Sequence, residues 1–139
     1  MNNEEQVVLS AVMNFLDNYS KRSVEGCMSS MSDSKPLLVF GTNDNEVFKT
    51  TDDVRKAFKK DFDSMNNIRW GELRNVHVEA APTLANVIVE LPIFYQNEGK
   101  DVETLFRYSL TLAKEDGRWK IRSGMASVPF MAETYSFPQ

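Results

Sequence analysis

The sequence predicts an α+β domain in which three helices pack on the concave side of a cone-shaped, curved antiparallel sheet. Two observations carry this prediction. Apolar residues recur at three- and four-residue spacing in the first half of the chain, as in helices, and alternate after Asn66-Asn67, as in strands. The chain then closes on a hairpin, residues 107–129, with an Asp116-Gly117 turn. Helices followed by a strand meander favour one helical layer on one sheet face.

The N-terminal region predicts two helices. Residues 3–20 carry a single apolar stripe, and Glu4 and Glu5 lie in the first turn, where the helix dipole favours negative charge. Ser23 is a suitable N-cap for a short second helix that contains Cys27. The stripe of the first helix comprises Val7, Val8, Ala11, Val12, Phe15, Leu16 and Tyr19.

A short hairpin and a third helix follow. Residues 37–40 form an apolar strand, the run Asn43-Asp44-Asn45 is typical of a turn, and residues 46–49 return as the partner strand. Thr50 or Thr51 caps a helix over residues 52–66, and Thr50 with Asp53 resembles a capping box. The apolar stripe of this helix comprises Val54, Ala57, Phe58, Phe62 and Met65.

The rest of the chain predicts a four-stranded meander. Its strands are expected at residues 68–80, 83–96, 102–114 and 118–128, with turn residues between them. A tight turn at Glu98-Gly99 would pair residues whose numbers sum to 197, which places Glu90 opposite Arg107. That pair is either an ordinary cross-strand ion pair or a pocket element that orients a polar ligand group.

The last hairpin admits two registers. A two-residue Asp116-Gly117 turn would place Arg107 on the face of Lys120 and Arg122, clustering like charges. A three-residue loop with Gly117 in a bulge position would instead place Arg107 on the face of Trp119, Ile121 and Met125. We favour the three-residue loop on charge grounds.

Composition limits the functional classes. The chain of 139 residues predicts a single domain, residues 1–139, with a C-terminal tail, residues 130–139, expected to pack on the cone or on a partner. A net charge of −4 without a basic patch argues against nucleic-acid binding. No apolar run is long enough to span a membrane. One cysteine and no apparent signal peptide predict a cytoplasmic protein.

Metal and cofactor chemistry has little support in the sequence. His77 is the only histidine and Cys27 the only cysteine, so no zinc site is expected. We expect His77 to be a surface or inter-subunit side chain and Cys27 to be a small buried hydrophobe. There is no phosphate-binding loop or nucleophile motif, and we expect no cofactor.

The strand pattern also predicts self-association. Both faces of strands 83–96 and 102–114 carry many apolar residues, although an antiparallel sheet with one solvated face should alternate cleanly. Helices cover one face. The simplest cover for the other is a second copy of the chain, so we expect a homodimer through the outer sheet face.

Three segments together resemble a known family. GTNDNEVFKT (41–50), RYSLTL (107–112) and WKIRSGMASVP (119–129) are similar to motifs of the SnoaL-like family, within the nuclear transport factor 2-like (cystatin-like) superfamily. The resemblance covers about residues 5–129. Met125 stands where this family tends to hold histidine, so a histidine proton carrier at that position would be absent. The superfamily includes isomerases, hydrolases and dehydratases as well as non-catalytic domains.

The predicted function is the binding of a small apolar or amphipathic organic ligand in an apolar pocket, with catalysis undecided. One alternative is an isomerase, hydrolase or dehydratase in which Glu46 or Glu90 is the general acid or base. We favour the interpretation in which these two carboxylates are structural, with Arg107 holding Glu90 ionised and Glu46 capping backbone amides at the turn. Another is a dimerisation module whose cone is filled by its own side chains. The candidate pocket residues are Phe40, Glu46, Phe58, Phe62, Glu90, Arg107, Trp119 and Met125, with no metal ligands.

Overall fold

A computed structural model gives the fold for residues 1–34 and 37–130. The predicted α+β class and the three helices are confirmed. The expected strand 68–80 is two strands, because residues 71–74 leave regular strand geometry. Of the predicted tail, only Phe130 belongs to the described residues. The elements are α1 (Asn3–Ser20), α2 (Val24–Met28), β1 (Leu38–Phe40), β2 (Val47–Phe48), α3 (Thr51–Ser64), β3 (Asn66–Trp70), β4 (Asn75–Ala80), β5 (Leu84–Asn97), β6 (Lys100–Glu115) and β7 (Arg118–Ser127).

The seven strands form one curved sheet in the order β2-β1-β7-β6-β5-β3, and β4 also pairs with β5. The pairing of β1 with β7 is parallel, which differs from the fully antiparallel sheet that the sequence predicted. The parallel direction is already set before β1 begins. Met31 forms a parallel bridge with Ile121 of β7, and β1 continues alongside β7 in the same direction.

The long β5–β6 hairpin separates the core from the outer surface. Its Glu98-Gly99 turn has positive φ at both residues, 52° and 77°, as a tight hairpin turn requires. Glu90 pairs with Arg107, which confirms the predicted register. The inward residues of β5, from Ala85 to Ile93 at every second position, are nearly inaccessible, whereas Ile88 on the other face is 46% exposed.

Helix α1 is tied to the sheet near both of its ends. Its apolar stripe buries Val8, Val12 and Leu16 completely or almost completely, and each such side chain contributes about 1.5–3 kcal/mol. The indole of Trp70 donates to the Leu16 carbonyl at 2.8 Å, and that of Trp119 donates to Glu4 Oε1 at 2.7 Å. The two bonds fix how α1 lies across the sheet.

Helix α3 begins as the sequence predicted. Thr50 is the N-cap, and a capping box joins it to Asp53. The Thr50 hydroxyl accepts from the Asp53 amide at 3.1 Å, and Asp53 Oδ2 accepts from the Thr50 amide at 3.2 Å. This cap sets the start of a helix that buries Val54, Phe58 and Phe62.

The last hairpin differs from the register we favoured. Glu115 pairs with Arg118 across a two-residue turn whose residues, Asp116 and Gly117, both have positive φ. That turn type matches strand twist, which outweighs the expected charge clustering. A register shift after Leu112 then moves Arg107 opposite Ser127. This β-bulge does not bring Arg107 to the face of Trp119 and Ile121, which are buried in the core, whereas the Arg107 side chain is 51% exposed. The expected shared face was therefore wrong.

Beyond the bulge, Gly124 lies between two strands, opposite Leu110 of β6 and Val39 of β1. Its φ is 154°, and a Cβ there would lie 2.4 Å from the Ser109 carbonyl oxygen. The sheet can close over β7 at this point only because no side chain is present.

Gly124→Ala should therefore destabilise the fold by about 2–3 kcal/mol, since backbone must move to admit the methyl group. Urea unfolding measures the change. The control is Gly99→Ala, which also has positive φ but open space around it, and which should cost about 1 kcal/mol. Equal losses for the two variants would contradict the close approach at Gly124.

Candidate functional site

A cavity of about 250 Å³ opens between the helices and the sheet. Its walls come from α1, α3, the β1–β2 hairpin and the inward faces of β5, β6 and β7. Much of the wall is aromatic, and the main polar side chains are two carboxylates, Glu46 and Asp61. The aromatic lining residues are Phe15, Tyr19, Phe40, Phe48, Phe58, Tyr95, Phe106 and Tyr108.

An aromatic cluster holds the inner wall of this cavity. Phe58 and Phe62, one turn apart on α3, stack with their ring centroids 6.2 Å apart. Tyr19 meets Phe62 edge to face at 5.0 Å, and Phe15 lies 5.9 Å from Phe58. Such pairs contribute about 0.5–1.5 kcal/mol each beyond area burial. The rings lock α1 against α3 and fix the polar group between them.

That polar group is Asp61 of α3. Its Oδ2 accepts a hydrogen bond of 2.8 Å from the Tyr19 hydroxyl, which also lies 3.5 Å from Met65 Sδ. Throughout residues 1–34 and 37–130, Asp61 Oδ1 accepts no hydrogen bond, and Asp61 makes no ion pair. One carboxylate oxygen is therefore fixed by α1, and the other is available to a molecule in the cavity.

Burial raises the pKa of Asp61 above its ordinary value of 3.8. The nearby Glu46 charge raises that pKa further, whereas the Tyr19 hydrogen bond and the Lys60 charge lower it. Burial and the Asp61 charge likewise raise the pKa of the Tyr108 phenol, and raise that of the Cys27 thiol to about 12. Asp61 therefore holds its proton more tightly than an aspartic acid in water does, and the phenol and thiol stay neutral at physiological pH.

A family model described as a SnoaL-like domain matches residues 8–131. The chain belongs to the SnoaL-like domain family. The resemblance seen in the sequence is thus confirmed, and its nuclear transport factor 2-like, cystatin-like fold agrees with solved structures. No curated protein sequence matches the chain significantly.

Solved structures show the same fold at low sequence identity. A ketosteroid isomerase-like protein from Erwinia carotovora atroseptica is 16% identical, with a TM-score of 0.79 over 94% of this chain and 100% of that one. A candidate dehydratase from Streptomyces avermitilis is 18% identical, with a TM-score of 0.82 over 92% and 97%. A Nostoc punctiforme protein with a cystatin-like fold is 14% identical, with a TM-score of 0.75 over 93% of each chain.

Four of the residues predicted for the pocket of this SnoaL-like domain do line the cavity: Phe40, Glu46, Phe58 and Met125. Phe58 is buried, whereas Phe40 and Met125 are 38% and 46% exposed and pair with each other across β1 and β7. These two half-exposed side chains lie where the cavity opens. Contact of any of the four with a ligand stays a prediction.

The other four predicted pocket residues lie elsewhere. Glu90 and Arg107 do pair, with Arg107 Nε donating to Glu90 Oε2 at 2.7 Å, but they lie on the outer sheet face. The cause is the alternation of β5, whose odd-numbered residues face the helices. Phe62 and Trp119 are buried in the core, where Phe62 stacks on Phe58 and Trp119 contacts Glu4.

Glu46 stabilises the turn of the β1–β2 hairpin at the cavity mouth. Its Oε1 accepts from the Asn43 amide at 2.8 Å, and Gly41 packs so closely that a Cβ there would meet Glu46 at 2.8 Å. This is the alternative in which Glu46 caps turn amides. On the outer face, Arg107 and then Asn75 lower the pKa of Glu90 through hydrogen bonds. Neither glutamate is arranged as a proton carrier in the cavity.

The sequence analysis missed Asp61, Tyr19 and Tyr108 as site residues. A signal for Asp61 was present, because it occupies an apolar-stripe position on α3, three residues after Phe58 and four before Met65. A charge in the middle of a buried stripe requires a partner or a cavity. Tyr108 carried no such signal, since an inward tyrosine is common in a core.

Metal ligation finds no support in the described part of the chain, which contains no group of three or more His, Cys, Asp or Glu side chains placed to hold an ion. Among the same residues, no helix is long and apolar enough to cross a membrane.

Asp61→Asn tests the electrostatics of the site through stability. Because folding raises the pKa of Asp61, protonation stabilises the native state. That stabilisation is complete below the ordinary pKa of 3.8 and is lost as the pH rises through the folded-state pKa. The asparagine variant should therefore gain stability relative to the wild type between about pH 3 and pH 7.

Urea unfolding at several pH values measures this difference. Asp63→Asn removes an exposed carboxylate from the same helix and controls for the loss of one charge. A wild-type advantage that grows as the pH rises would show that Asp61 is stabilised as the anion.

Proposed function

We propose that this SnoaL-like domain is a homodimeric protein that binds a small amphipathic organic ligand inside its cone. One observation carries the proposal: a cavity with aromatic walls in which the Asp61 carboxylate of the inner wall has an oxygen, Oδ1, without a partner among the described residues. Apolar walls with a few placed polar groups are typical of small-molecule sites. An open cavity also weighs against a dimerisation module whose cone is filled by its own side chains.

The size of the cavity limits the ligand. Pockets for drug-sized molecules measure about 300–1,000 Å³, and this one measures about 250 Å³. A ligand built on one ring, with its apolar part among the phenylalanines and one polar group at Asp61, fits this volume. Half-exposed Phe40 and Met125 would border its path of entry.

Ala57→Leu tests whether the cavity is used. Ala57 lines it from α3, so a larger side chain there should reduce the space and weaken binding. Mass spectrometry of the purified protein should identify a co-purified molecule, and 4-tert-butylphenol should raise the Tm of the wild type. Both signals should fall in Ala57→Leu.

Lys59→Leu is the matched control, because it places the same side chain on the exposed face of α3. Its ligand binding should equal that of the wild type. If no molecule co-purifies and 4-tert-butylphenol leaves the Tm of the wild type unchanged, the proposed binding function is wrong.

Proton transfer is a second candidate function, and the raised pKa of Asp61 favours it. A carboxyl with a raised pKa, held by Tyr19 and facing a cavity, is suited to general acid or base catalysis. Asp61 takes the role first considered for Glu46 or Glu90. Similar structures include a ketosteroid isomerase-like protein and a candidate dehydratase, and both names are consistent with proton-transfer chemistry.

The proposed dimer uses the outer sheet face. This face is less apolar than the strand pattern suggested, because Glu90, Arg107 and Asn75 form a polar network on it. Beside the network lie Ile88 and Leu84, which are 46% and 44% exposed. An apolar centre bordered by paired polar groups is the usual composition of a protein interface.

Ile88→Glu should convert the proposed dimer to a monomer, because a charge would be buried without a partner at the centre of the interface. Sedimentation at micromolar concentration measures the mass, and a stable interface should bury about 1,000 Å² or more. Val7→Glu is the control, since Val7 is similarly exposed (52%) but lies on α1. A wild-type protein that sediments as a monomer would contradict the dimer.

We also assign the protein to the cytoplasm. Cys27 is the only cysteine, it is buried and free, and its pKa of about 12 keeps the thiol protonated. A chain without an internal disulfide is typical of reducing compartments.

A further inference from the structure

The charges around the cavity are of one sign. Glu46 at the mouth and Asp61 in the inner wall are both carboxylates, and each is close enough to the other for the Glu46 charge to act on Asp61. No described lining residue is Lys, Arg or His. Lys60, whose charge also reaches Asp61 and lowers its pKa, is exposed and is not among the lining residues. An anionic ligand would be repelled here, and a cationic one attracted.

The walls add a second attraction for positive charge. Aromatic rings present a negative face, and cations bind over that face within about 6 Å of the ring centroid. Phe15, Tyr19 and Phe58 line the cavity around Asp61, and Phe106 and Tyr108 line it from β6. Trp70 connects the two groups of rings, because its ring centroid lies 6.0 Å from those of Tyr19 and Phe106 and 6.2 Å from that of Tyr108.

Asp61 is placed to neutralise such a cation. Tyr19 holds Oδ2, so the carboxylate has one orientation, and Oδ1 accepts no hydrogen bond from any described residue. An ammonium group beside Oδ1 would complete a buried ion pair. Tyr19 would continue to satisfy the other oxygen, which a buried pair needs in order to be favourable.

We propose that the natural ligand of the cone is a small organic cation, an amine or a quaternary ammonium compound, bound with its charge between Asp61 and the aromatic walls. The inference rests on the proposed binding function and specifies its ligand class. Weakly hydrated alkylammonium groups suit the site best, because rings and one carboxylate replace their water at low cost. Neutral molecules of the same shape would bind through apolar contact alone.

An isosteric pair of probes tests the ligand class. The cation 4-hydroxyphenyltrimethylammonium and the neutral 4-tert-butylphenol differ in one central atom, nitrogen against carbon, and in charge. Calorimetry of the wild type at neutral pH should give an affinity about tenfold or more higher for the cation. Asp61→Asn should abolish that preference while retaining affinity for 4-tert-butylphenol, which also shows that the variant is folded.

Asp63→Asn is the matched control, because it removes an equal charge from the exposed face of the same helix. It should keep the full preference for the cation. If Asp61→Asn also keeps it, the preference comes from the overall charge of −4 and the inference is wrong.

The remaining outcomes separate this inference from the function on which it rests. If the wild type binds 4-tert-butylphenol as tightly as the cation, or more tightly, the cation inference is wrong and the binding function stands. If it binds neither probe and carries no co-purified molecule, both are wrong.

Discussion

The register of the β5–β6 hairpin is the constraint on which the rest of the structure depends. Once Glu98 and Gly99 form a two-residue turn, every side chain of the two longest strands is assigned to a face. Phe106, Tyr108 and Leu110 then point into the cone, while Glu90 and Arg107 point out. A slip of one residue would exchange these sets, emptying the cavity of its rings and placing an ion pair in the core.

The cavity exists because contacts between large side chains keep the helices and the sheet from packing closely together. The Tyr19, Phe58 and Phe62 rings fix the separation of α1 and α3, and the two tryptophans fix α1 on the sheet. The space that remains is bounded by rings on several sides. The Asp61 carboxyl lies in it from α3 with no ion-pair partner among the described residues, and burial makes its charged form costly.

Much of the fold could be predicted because it depends on local signals. Helix periodicity, the Thr50 cap and the Glu98-Gly99 turn are each encoded within a few residues, and all are present. The β-bulge near Arg122 and the parallel pairing of β1 depend on distant contacts that no local pattern carries. The site was predicted less well, because Glu90 was assigned to the cavity from its pairing with Arg107, the family resemblance at Arg107 and the expected loop of the last hairpin. Pairing fixes a partner, whereas only the strand's alternation fixes the face.

The β1–β2 hairpin gives the domain an uneven distribution of local stability. Its strands have three and two residues, and it joins the sheet through a short parallel pairing, yet it supplies Phe40, Phe48 and the turn at the cavity mouth. The inner wall belongs to long strands and capped helices. Opening the mouth thus requires only a local rearrangement with a small free-energy cost. Under the proposed binding function, the residence time of a ligand should depend on this hairpin, and substitutions that strengthen the core should change thermal stability without slowing ligand exchange.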